Sequence, residues 1–394
     1  MPYLGRRKNY AEQELLSVEE TKGLPDRLER LSTMLLRPAL CEFFDDNDEE
    51  HAFELFARLN KGGTSLQAGE VQAAKLASQA TRAIVGPMRQ FAAEPEAREL
   101  GINFIFLLRV LISVHRGSCR FSDLPKSWTN DASSITASWT SASIALRTII
   151  GFVREEVGWR SRRWLPSTNA LIPLVYVLAQ TDTSKLSEAE IDTARKYLLF
   201  TGLRSYFQGS PETSINGLLN AVKASRAGRA SQLKALLARV PKSRRVRLTL
   251  DEALTARGPY SPLMQVYYAW VYSQAVASFP SGAQTLPRDA APENSRTVSH
   301  PVFQRFLSEE IDAPGDSLAK SVNYVLLTAA DAKRLAGESP IQSWRRMRAV
   351  ERAHASGQLL FESSENLLHP QSFGDFLQFR GKKLQALVND FLEL

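Results

Sequence analysis

Cysteine is scarce in this 394-residue chain, which contains only Cys41 and Cys119. Neither belongs to a CxxC pair, so the sequence predicts neither a disulfide framework nor a zinc site built on cysteine. The chain also lacks the GxxxxGK[ST], HExxH and GxSxG motifs. These absences argue against a P-loop nucleotide hydrolase, a zinc protease of that type and a serine hydrolase of the nucleophile-elbow type.

A long apolar segment is also missing. The most apolar run, INFIFLLRVLISV at residues 102–114, is interrupted by Arg109, and it is shorter than the roughly 20 residues that a membrane span needs. The N-terminal sequence MPYLGRRKNY has no apolar core of the kind found in signal peptides. We therefore expect the run at 102–114 to form a buried helix, in a soluble cytoplasmic protein without membrane contact.

Acidic residues are fewer than basic ones, 42 against 49, which gives a formal charge of +7. A basic protein favours a polyanionic partner such as nucleic acid. The notable basic residues form three clusters: Arg160, Arg162 and Arg163; Lys242, Arg244, Arg245 and Arg247; and Arg345, Arg346, Arg348 and Arg352. Each cluster alone is explained by a solvated surface.

Two of these clusters lead to structural predictions. Trp159 and Trp164 flank the first cluster, and aromatic rings beside arginines are typical of sites where bases stack next to phosphate contacts. Arg345, Arg348 and Arg352 have i, i+3 and i+7 spacing. This spacing predicts one stripe of positive charge along a single helix.

Helical spacing dominates the chain from about residue 97 to 278, where Pro, Gly and Ser clusters separate the segments. Ser187 followed by Glu190 fits a capping box at the start of a helix. The aromatic run YYAWVY at 267–272 is typical of a buried helix core. Residues 279–299 are rich in Pro, Gly, Ser and Ala, so they predict a linker to a separate final module.

Several segments resemble one family. Residues 51–74, HAFELFARLNKGGTSLQAGEVQAA, contain a Phe-x-x-x-Asn-x-Gly-Gly-x-x-Leu pattern, which is formed by Phe56, Asn60, Gly62, Gly63 and Leu66. This pattern resembles the end of the N-terminal domain in GmrSD-type, modification-dependent restriction endonucleases. RKYLLFTGLRSYFQGSPETSINGLLNAVK resembles the helical hairpin that follows in that family. SHPVFQRFL, SVNYVLLTAADAKRLAGESPIQSW and FGDFLQFRGKKLQALVNDFL resemble its C-terminal HNH nuclease in order and spacing.

The resemblance implies a mainly α fold with small β elements, in the α+β class. It implies three domains. Residues 1–90 would be the C-terminal part of a ParB/sulfiredoxin-like domain, residues 91–280 a helical domain, and residues 281–394 a degenerate HNH-like ββα module with a C-terminal helix. DNA is the partner that this family implies, and for a basic chain that resembles a DNA-acting family the three basic clusters favour contact with DNA. Mg²⁺ and a nucleoside triphosphate are the cofactors that the resemblance implies.

The glycine loop has two interpretations. Gly62 and Gly63 can adopt φ > 0, and the helix that follows offers backbone N–H groups to an anion, so Asn60, Gly62 and Gly63 are candidates for a phosphate or nucleotide loop. Alone, the same residues are a turn between two helices. In the family, nucleotide hydrolysis depends on an Asp-Gly-Gln-Gln-Arg signature ahead of this segment, and the chain contains no such sequence. We expect a misplaced or missing front portion, a lost activity, or a protein partner that supplies the motif.

An HNH nuclease holds one divalent ion in a ββα hairpin and uses a His to deprotonate water. Spacing against the family puts Ser299 at the metal-binding position of the first strand and His300 at the base. Asn323 matches the middle Asn, and the ligand position of the helix falls on Ala332. His300 and Asn323 are therefore the catalytic candidates, and no residue is assigned to metal. The alternative for His300 is a surface or capping His before Pro301.

Three functions compete at this point. The leading hypothesis is DNA binding by a catalytically impaired or incomplete relative of the GmrSD-type enzymes in phage defence. The second is an active Mg²⁺-dependent HNH-type endonuclease that works with a partner, and the third is a non-enzymatic helical interaction protein. DNA binding ranks above cleavage because Ser299 and Ala332 replace two metal ligands, which removes most of the charge that would hold Mg²⁺.

Overall fold

The computed structural model describes residues 24–35, 82–121, 132–181, 185–225, 227–241, 247–285, 297–304, 307, 310–311, 315–361 and 365–393. The chain divides into two units, Met1–Ser65 and Leu66–Leu394. The described part of the first unit is helix α1, Leu24–Leu35. In the described ranges the fold is mainly helical with one two-stranded sheet, which confirms the predicted fold class.

The first half of the unit Leu66–Leu394 is a set of packed helices. Its described helices are α2 (Arg82–Ala93), α3 (Pro95–Glu99), α4 (Phe104–Arg116), α5 (Ala132–Glu155), α6 (Leu171–Ala179), α7 (Glu188–Leu203), α8 (Pro211–Ala224) and α9 (Arg229–Arg239). Helix α6 is apolar on all sides and packs against α4, α5, α8 and α9. A helix without a polar face belongs at the centre of such a group, because its neighbours must cover it on every side.

Helix α4 contains most of the apolar run at 102–114, and the prediction of a buried helix is confirmed. Leu107, Val110 and Leu111 are fully buried. The side chain of Asn103 accepts the Phe106 N–H at 2.9 Å, so the helix begins with a standard side-chain cap. No helix in the described ranges is both long and apolar enough to span a bilayer.

The second half of this unit contains the small sheet. Its elements are α10 (Leu250–Thr255), α11 (Pro262–Ser273), β1 (Thr297–Pro301), β2 (Tyr324–Thr328), α12 (Ala329–Leu335), α13 (Pro340–Arg346), α14 (Ala349–Leu359) and α15 (Phe373–Phe391). The two strands are antiparallel, and α12 follows β2 directly. Strand–strand–helix is thus the order of elements that the HNH resemblance implied.

Two local predictions are confirmed in the helices. Glu190 and Ser187 form a capping box at the start of α7, in which the Ser187 N–H donates to Glu190 Oε2 at 2.8 Å. In α11, Tyr267, Tyr268 and Tyr272 are buried, as expected for a core helix.

The prediction that residues 279–299 form a linker is wrong at both ends of this range. Phe279 is buried, and the Ser281 Oγ donates to Asp331 Oδ2 at 2.6 Å. At the other end, β1 begins at Thr297, inside the predicted range. The composition of this segment is typical of a linker, but its few large and hydrogen-bonding side chains attach it to the core.

The final segment packs on helices that precede residue 280. Helix α15 contacts α10 and α11, and the Tyr267 hydroxyl of α11 hydrogen-bonds Gln358 O at 3.0 Å. These elements belong to one compact unit, Leu66–Leu394. The three domains expected from the sequence, with boundaries at 90/91 and 280/281, stay predictions.

Candidate nucleic-acid interface and the ββα unit

The ββα unit consists of β1, β2 and α12. In its register Ser299 lies opposite Leu326, and His300 lies opposite Val325. Successive side chains of a strand point to opposite faces of a sheet. Ser299 and His300 therefore face away from each other, so their side chains do not converge on one site.

His300 lies inside β1 and is half-buried, so it is not a helix cap. It lines an apolar cavity of about 40 Å³, whose other walls include Phe279, Val325, Trp344 and Leu359. A space of this size holds a few water molecules at most. Burial lowers the pKa of His300 below its usual value of 6.5, because the charged imidazolium is poorly solvated there. His300 is therefore neutral at ordinary pH and packs among the apolar residues of this cavity.

The depressed pKa of His300 has a consequence for stability. Below pH 6.5 the unfolded chain binds a proton at this position more readily than the folded chain, so acid removes stability. We expect His300→Gln to lose less unfolding free energy than the wild type between about pH 7.5 and about pH 5.5. Urea unfolding at both pH values measures the difference. An equal loss in the two proteins would show that His300 titrates normally in the fold.

The residues of the ββα unit do not fit a Mg²⁺ ion. Mg²⁺ needs several oxygen ligands in octahedral geometry, whereas Ala332 offers none, and Ser299 Oγ is buried without a hydrogen-bond partner among the described residues. The carboxylate in the His300 cavity, Glu338, accepts hydrogen bonds from Ser343 Oγ and Arg346 Nη1, each at 2.8 Å. Within the described ranges no group of three His, Cys, Asp or Glu residues could hold a metal ion.

Asn323 is fully buried at the start of β2. Its Nδ2 donates to Phe303 O at 2.9 Å and to Leu318 O at 3.0 Å, and its Oδ1 accepts the Phe303 N–H at 2.9 Å. The amide therefore fixes the chain that leaves β1 to the chain that enters β2. These contacts are structural, and a catalytic role of Asn323 stays a prediction.

Asp331, next to the predicted ligand position in α12, is a residue that the sequence analysis missed. It is buried, and its carboxylate accepts hydrogen bonds from the hydroxyls of Ser278 at 2.5 Å, Ser281 at 2.6 Å and Thr328 at 3.2 Å. Thr328 and Asp331 have the spacing of a helix cap, which was the available signal. The two serines come from a distant turn, so Asp331 anchors that turn to the ββα unit.

The tryptophans beside the first arginine cluster are buried, and the prediction that they stack on bases is wrong. The Trp159 Nε1–H donates to Gln265 O at 3.2 Å, and the Trp164 ring stacks on Tyr268 with a centroid separation of 4.0 Å. Both rings pack against α11, because large aromatic side chains gain more from a core than from a loop surface. These two rings are therefore not accessible to a bound base.

The arginines of this cluster are on the outer side of the same loop. Arg162 and Arg163 are exposed, and Arg160 is half-buried. The Arg163 guanidinium lies 5.7 Å from the centre of the Tyr260 ring, which in turn packs edge-on against Trp164 at 5.0 Å. The loop at residues 160–163, which we call the arginine loop, thus packs on these aromatic rings.

This loop adjoins the ββα unit. Burial raises the pKa of Tyr268, and the charge of Arg160 opposes that rise, so Arg160 lies close to the Tyr268 hydroxyl. Thr297, the first residue of β1, also lowers the pKa of this hydroxyl, so it too lies near Tyr268. The arginine loop and the first strand of the ββα unit are therefore neighbours.

Two further basic residues, Arg257 and Lys320, are connected to this loop through Tyr260. Beyond Tyr260, the Gly258 N–H donates to Ala319 O at 2.8 Å, and Arg257 forms an isolated β-bridge with Lys320 just before β2. We call the set Arg160, Arg162, Arg163, Arg257 and Lys320 the arginine surface. Asp316 pairs with Arg257 at 2.9 Å, and both side chains are exposed. The arginine surface thus carries five basic side chains, of which Arg257 is paired with a carboxylate.

The third cluster does not lie on a single helix, and that prediction is wrong. Met347 leaves the helical conformation with φ −69° and ψ 140°, so Arg345 lies in the last turn of α13 while Arg352 belongs to α14. The Arg348 N–H donates to Glu351 Oε2 at 2.7 Å, which caps the new helix. Buried Met347 makes the break favourable, because its side chain joins the wall of the His300 cavity.

The charges of the third cluster are largely compensated. Three ion pairs link Arg345 to Glu365, Arg346 to Glu338 and Arg348 to Glu351. Arg352 donates to the backbone oxygens of Trp344 and Arg345. A phosphate would have to compete with these partners, so this cluster is a weaker candidate for DNA contact than the arginine surface.

Other candidate residues lie outside the described ranges. These are Asn60, Gly62 and Gly63 of the glycine loop and Lys242, Arg244 and Arg245 of the second cluster. Arg247 of that cluster is described: it is exposed, and its backbone oxygen accepts a hydrogen bond from Arg204 Nη2 at 3.4 Å. Their proposed roles stay predictions.

Comparison with known proteins does not assign the chain to a family. No protein-family model matches the sequence, and no curated protein matches it.

Proposed function

We propose that the chain binds DNA through the arginine surface and that the ββα unit lies beside the bound DNA without cutting it through a metal ion. The observation that supports binding is that the Arg163 guanidinium lies 5.7 Å from the centre of the Tyr260 ring, close in the chain to Arg257, which pairs with Lys320. Basic side chains collected on one face release counterions from the phosphate backbone, which is the main source of non-specific affinity for DNA.

The geometry of the ββα unit supports the absence of cleavage. Ser299 and His300 point to opposite faces, Ala332 carries no ligand atom, and the Asn323 amide is engaged with backbone groups. The unit thus has the order of elements that the HNH resemblance implies, whereas the residues at the expected catalytic positions pack in the fold or fix the backbone. A cytoplasmic role in phage defence, as a catalytically impaired relative of the GmrSD-type enzymes, is part of the same proposal.

The binding proposal is tested by removing two charges from the arginine surface. We expect Arg162→Ala/Arg163→Ala to weaken binding to a short duplex about 100-fold at about 50 mM salt, because each lost phosphate contact removes one released counterion. The control Lys234→Ala/Arg239→Ala removes two exposed charges from α9 and should change affinity less than about threefold. Fluorescence anisotropy measures both. Equal losses in the two variants would contradict a localised site.

The absence of metal-dependent cleavage is tested separately. Supercoiled plasmid incubated with the protein and Mg²⁺ or Mn²⁺ should stay supercoiled, since no set of ligands for the ion converges in the ββα unit. Nicking that disappears in His300→Ala would contradict this part of the proposal. It would favour the alternative of an active HNH-type endonuclease.

A further inference from the structure

A cleft between α12, α13 and α14 is lined by charged side chains. It has a volume of about 230 Å³. Two side chains of each sign line it: Arg334, Glu338, Arg346 and Glu351. We call this space the charged cleft. A ligand with one sign of charge would be repelled by two of these groups, so the cleft suits a molecule that carries both signs.

Arg334 differs from the other charges of this cleft. Arg346 pairs with Glu338 at 2.8 Å, and Arg348 pairs with Glu351 at 3.4 Å. The Arg334 side chain is exposed and forms no ion pair with any acid in the described ranges. An arginine fork binds a carboxylate through two parallel hydrogen bonds. Arg334 is therefore the position for the carboxylate of a ligand.

Glu351 supplies a negative charge within reach of Arg334. Hydrogen bonds from Arg348 lower the pKa of Glu351 below its usual 4.5, and the charge of Arg334 adds to this effect. The two side chains are thus close, yet Glu351 pairs with Arg348 and not with Arg334. The Glu351 side chain is 10% exposed. Its oxygens accept the Arg348 N–H at 2.7 Å and Arg348 Nη2 at 3.5 Å. Since an ionised carboxylate offers about four acceptor positions, positions remain for an ammonium group.

The His300 cavity adjoins the charged cleft. Four residues line both spaces: Leu335, Glu338, Ser343 and Met347. The other walls of the cavity include Val325, Trp344 and Leu359, so its interior is apolar. Its volume of about 40 Å³ is well below the roughly 150 Å³ that accommodates a benzene ring in another protein. The cavity therefore suits a short branched hydrocarbon group rather than an aromatic ring.

These features fit one class of ligand. We propose that the charged cleft binds a free α-amino acid with a short branched aliphatic side chain, of which leucine is the representative. Its carboxylate lies on Arg334, its ammonium group lies on Glu351, and its side chain enters the His300 cavity. Met347 lines both spaces, and a flexible methionine side chain adjusts readily to a group that packs against it. No residue of the arginine surface lines the cleft, so the inference does not depend on DNA binding.

Four small molecules test the three parts of this assignment by isothermal titration calorimetry. 4-Methylpentanoate lacks the ammonium group of leucine, 3-methylbutylamine lacks its carboxylate, and phenylalanine replaces the branched group with a ring. We expect leucine to bind at least about tenfold more tightly than each of the other three, because each lacks one of the proposed contacts. No binding of leucine at ~10 mM, or equal binding of any of the other three, would overturn the inference.

A pair of variants tests the position of the site. Arg334→Met should lower the affinity for leucine roughly tenfold, because the carboxylate loses its charged partner. Lys333→Met is the matched control: Lys333 is the exposed neighbour in α12 and lines no part of the cleft, so it should change the affinity less than about twofold. Unchanged affinity in Arg334→Met, or an equal loss in both variants, would overturn the inference.

A measurement on the wild type does not depend on either variant. Hydrogen–deuterium exchange at residues 334–351 should slow when leucine is added, and unchanged exchange there would overturn the inference. None of these experiments contains DNA. Failure of leucine to bind therefore leaves the proposed DNA binding intact, and failure of duplexes to bind leaves the amino-acid site intact.

Discussion

Arg380→Met is expected to lower the free energy of unfolding by about 3 kcal/mol. Arg380 is fully buried in α15. Its Nη1 donates to Val322 O and Tyr324 O, both at 2.6 Å, and its Nη2 donates to Gln358 O at 3.2 Å. Methionine fills a similar volume but removes this donor from Val322 O and Tyr324 O, whereas Gln358 O keeps the Tyr267 hydroxyl as a donor.

Two opposing effects decide this result. Burial lowers the pKa of Arg380, and removing a buried charge recovers several kcal/mol of lost solvation. Each orphaned carbonyl costs about 1–3 kcal/mol, and the stacking of the guanidinium 5.6 Å from the centre of the Tyr267 ring is lost as well. The loss of bonds to two carbonyls and of one cation–π contact outweighs the recovered solvation, so the change is destabilising.

Urea unfolding followed by tryptophan fluorescence measures the effect. Lys382→Met removes a positive charge from an exposed position of the same helix and should change stability by less than about 0.5 kcal/mol. Arg380→Lys keeps the charge but loses the planar fork, so it should be at least as destabilised as Arg380→Met. An Arg380→Met protein as stable as the wild type would mean that solvation of the charge, rather than the carbonyl bonds, dominates this site.

Glu190→Gln is the second change with a large expected effect. Glu190 joins the start of α7 to the start of α9: Arg229 donates from Nε to Oε1 at 2.8 Å and from Nη2 to Oε2 at 2.7 Å. These bonds from Arg229, with smaller contributions from Ser187, lower the pKa of Glu190 from 4.5 to about 2 against the opposing effect of burial. A difference of this size corresponds to about 3 kcal/mol at neutral pH.

The pH dependence of this pair follows from the lowered pKa. Above pH 4.5 the ionised Glu190 contributes its full stabilisation of the fold. That stabilisation is lost as the pH falls towards about 2. The difference between wild type and Glu190→Gln should therefore shrink from about 3 kcal/mol at neutral pH to about 1 kcal/mol near pH 3. Glu188→Gln, an exposed position in the same turn, is the matched control. A difference that does not depend on pH would contradict the assignment of the effect to charge.

Local features of this fold could be predicted from the sequence because their causes are local. The capping box of Ser187 and Glu190 depends on two residues three positions apart. The helix at Phe104–Arg116 and the core helix around Tyr267 follow from runs of apolar and aromatic side chains that are long enough to require burial. The order of strand, strand and helix was implied by a resemblance rather than by periodicity, and the order is present in the fold.

The errors came from contacts between distant parts of the chain. Trp159 and Trp164 look like ligand-stacking residues beside arginines, but their partners Gln265 and Tyr268 lie about a hundred positions away. The helix break at Met347 depends on burial of its side chain in a cavity, and no spacing rule contains that information. A stripe of arginines predicted from one continuous helix fails for this reason.

The candidate site was predicted only in part. The sequence identified Arg160, Arg162 and Arg163 as a basic cluster, but it could not place them beside β1 or add Arg257 and Lys320 to them. Such features depend on three-dimensional neighbours rather than on residue type.

The central claim is that the arginine surface binds DNA phosphates, and the salt dependence of binding tests it most directly. The logarithm of the association constant of a duplex should fall linearly with the logarithm of salt concentration, with a slope of about −0.9 for each phosphate contact. We predict that Arg162→Ala/Arg163→Ala makes this slope shallower by about 2, whereas Lys234→Ala/Arg239→Ala leaves it unchanged. Binding that does not weaken with salt, or one slope shared by all three proteins, would contradict the account.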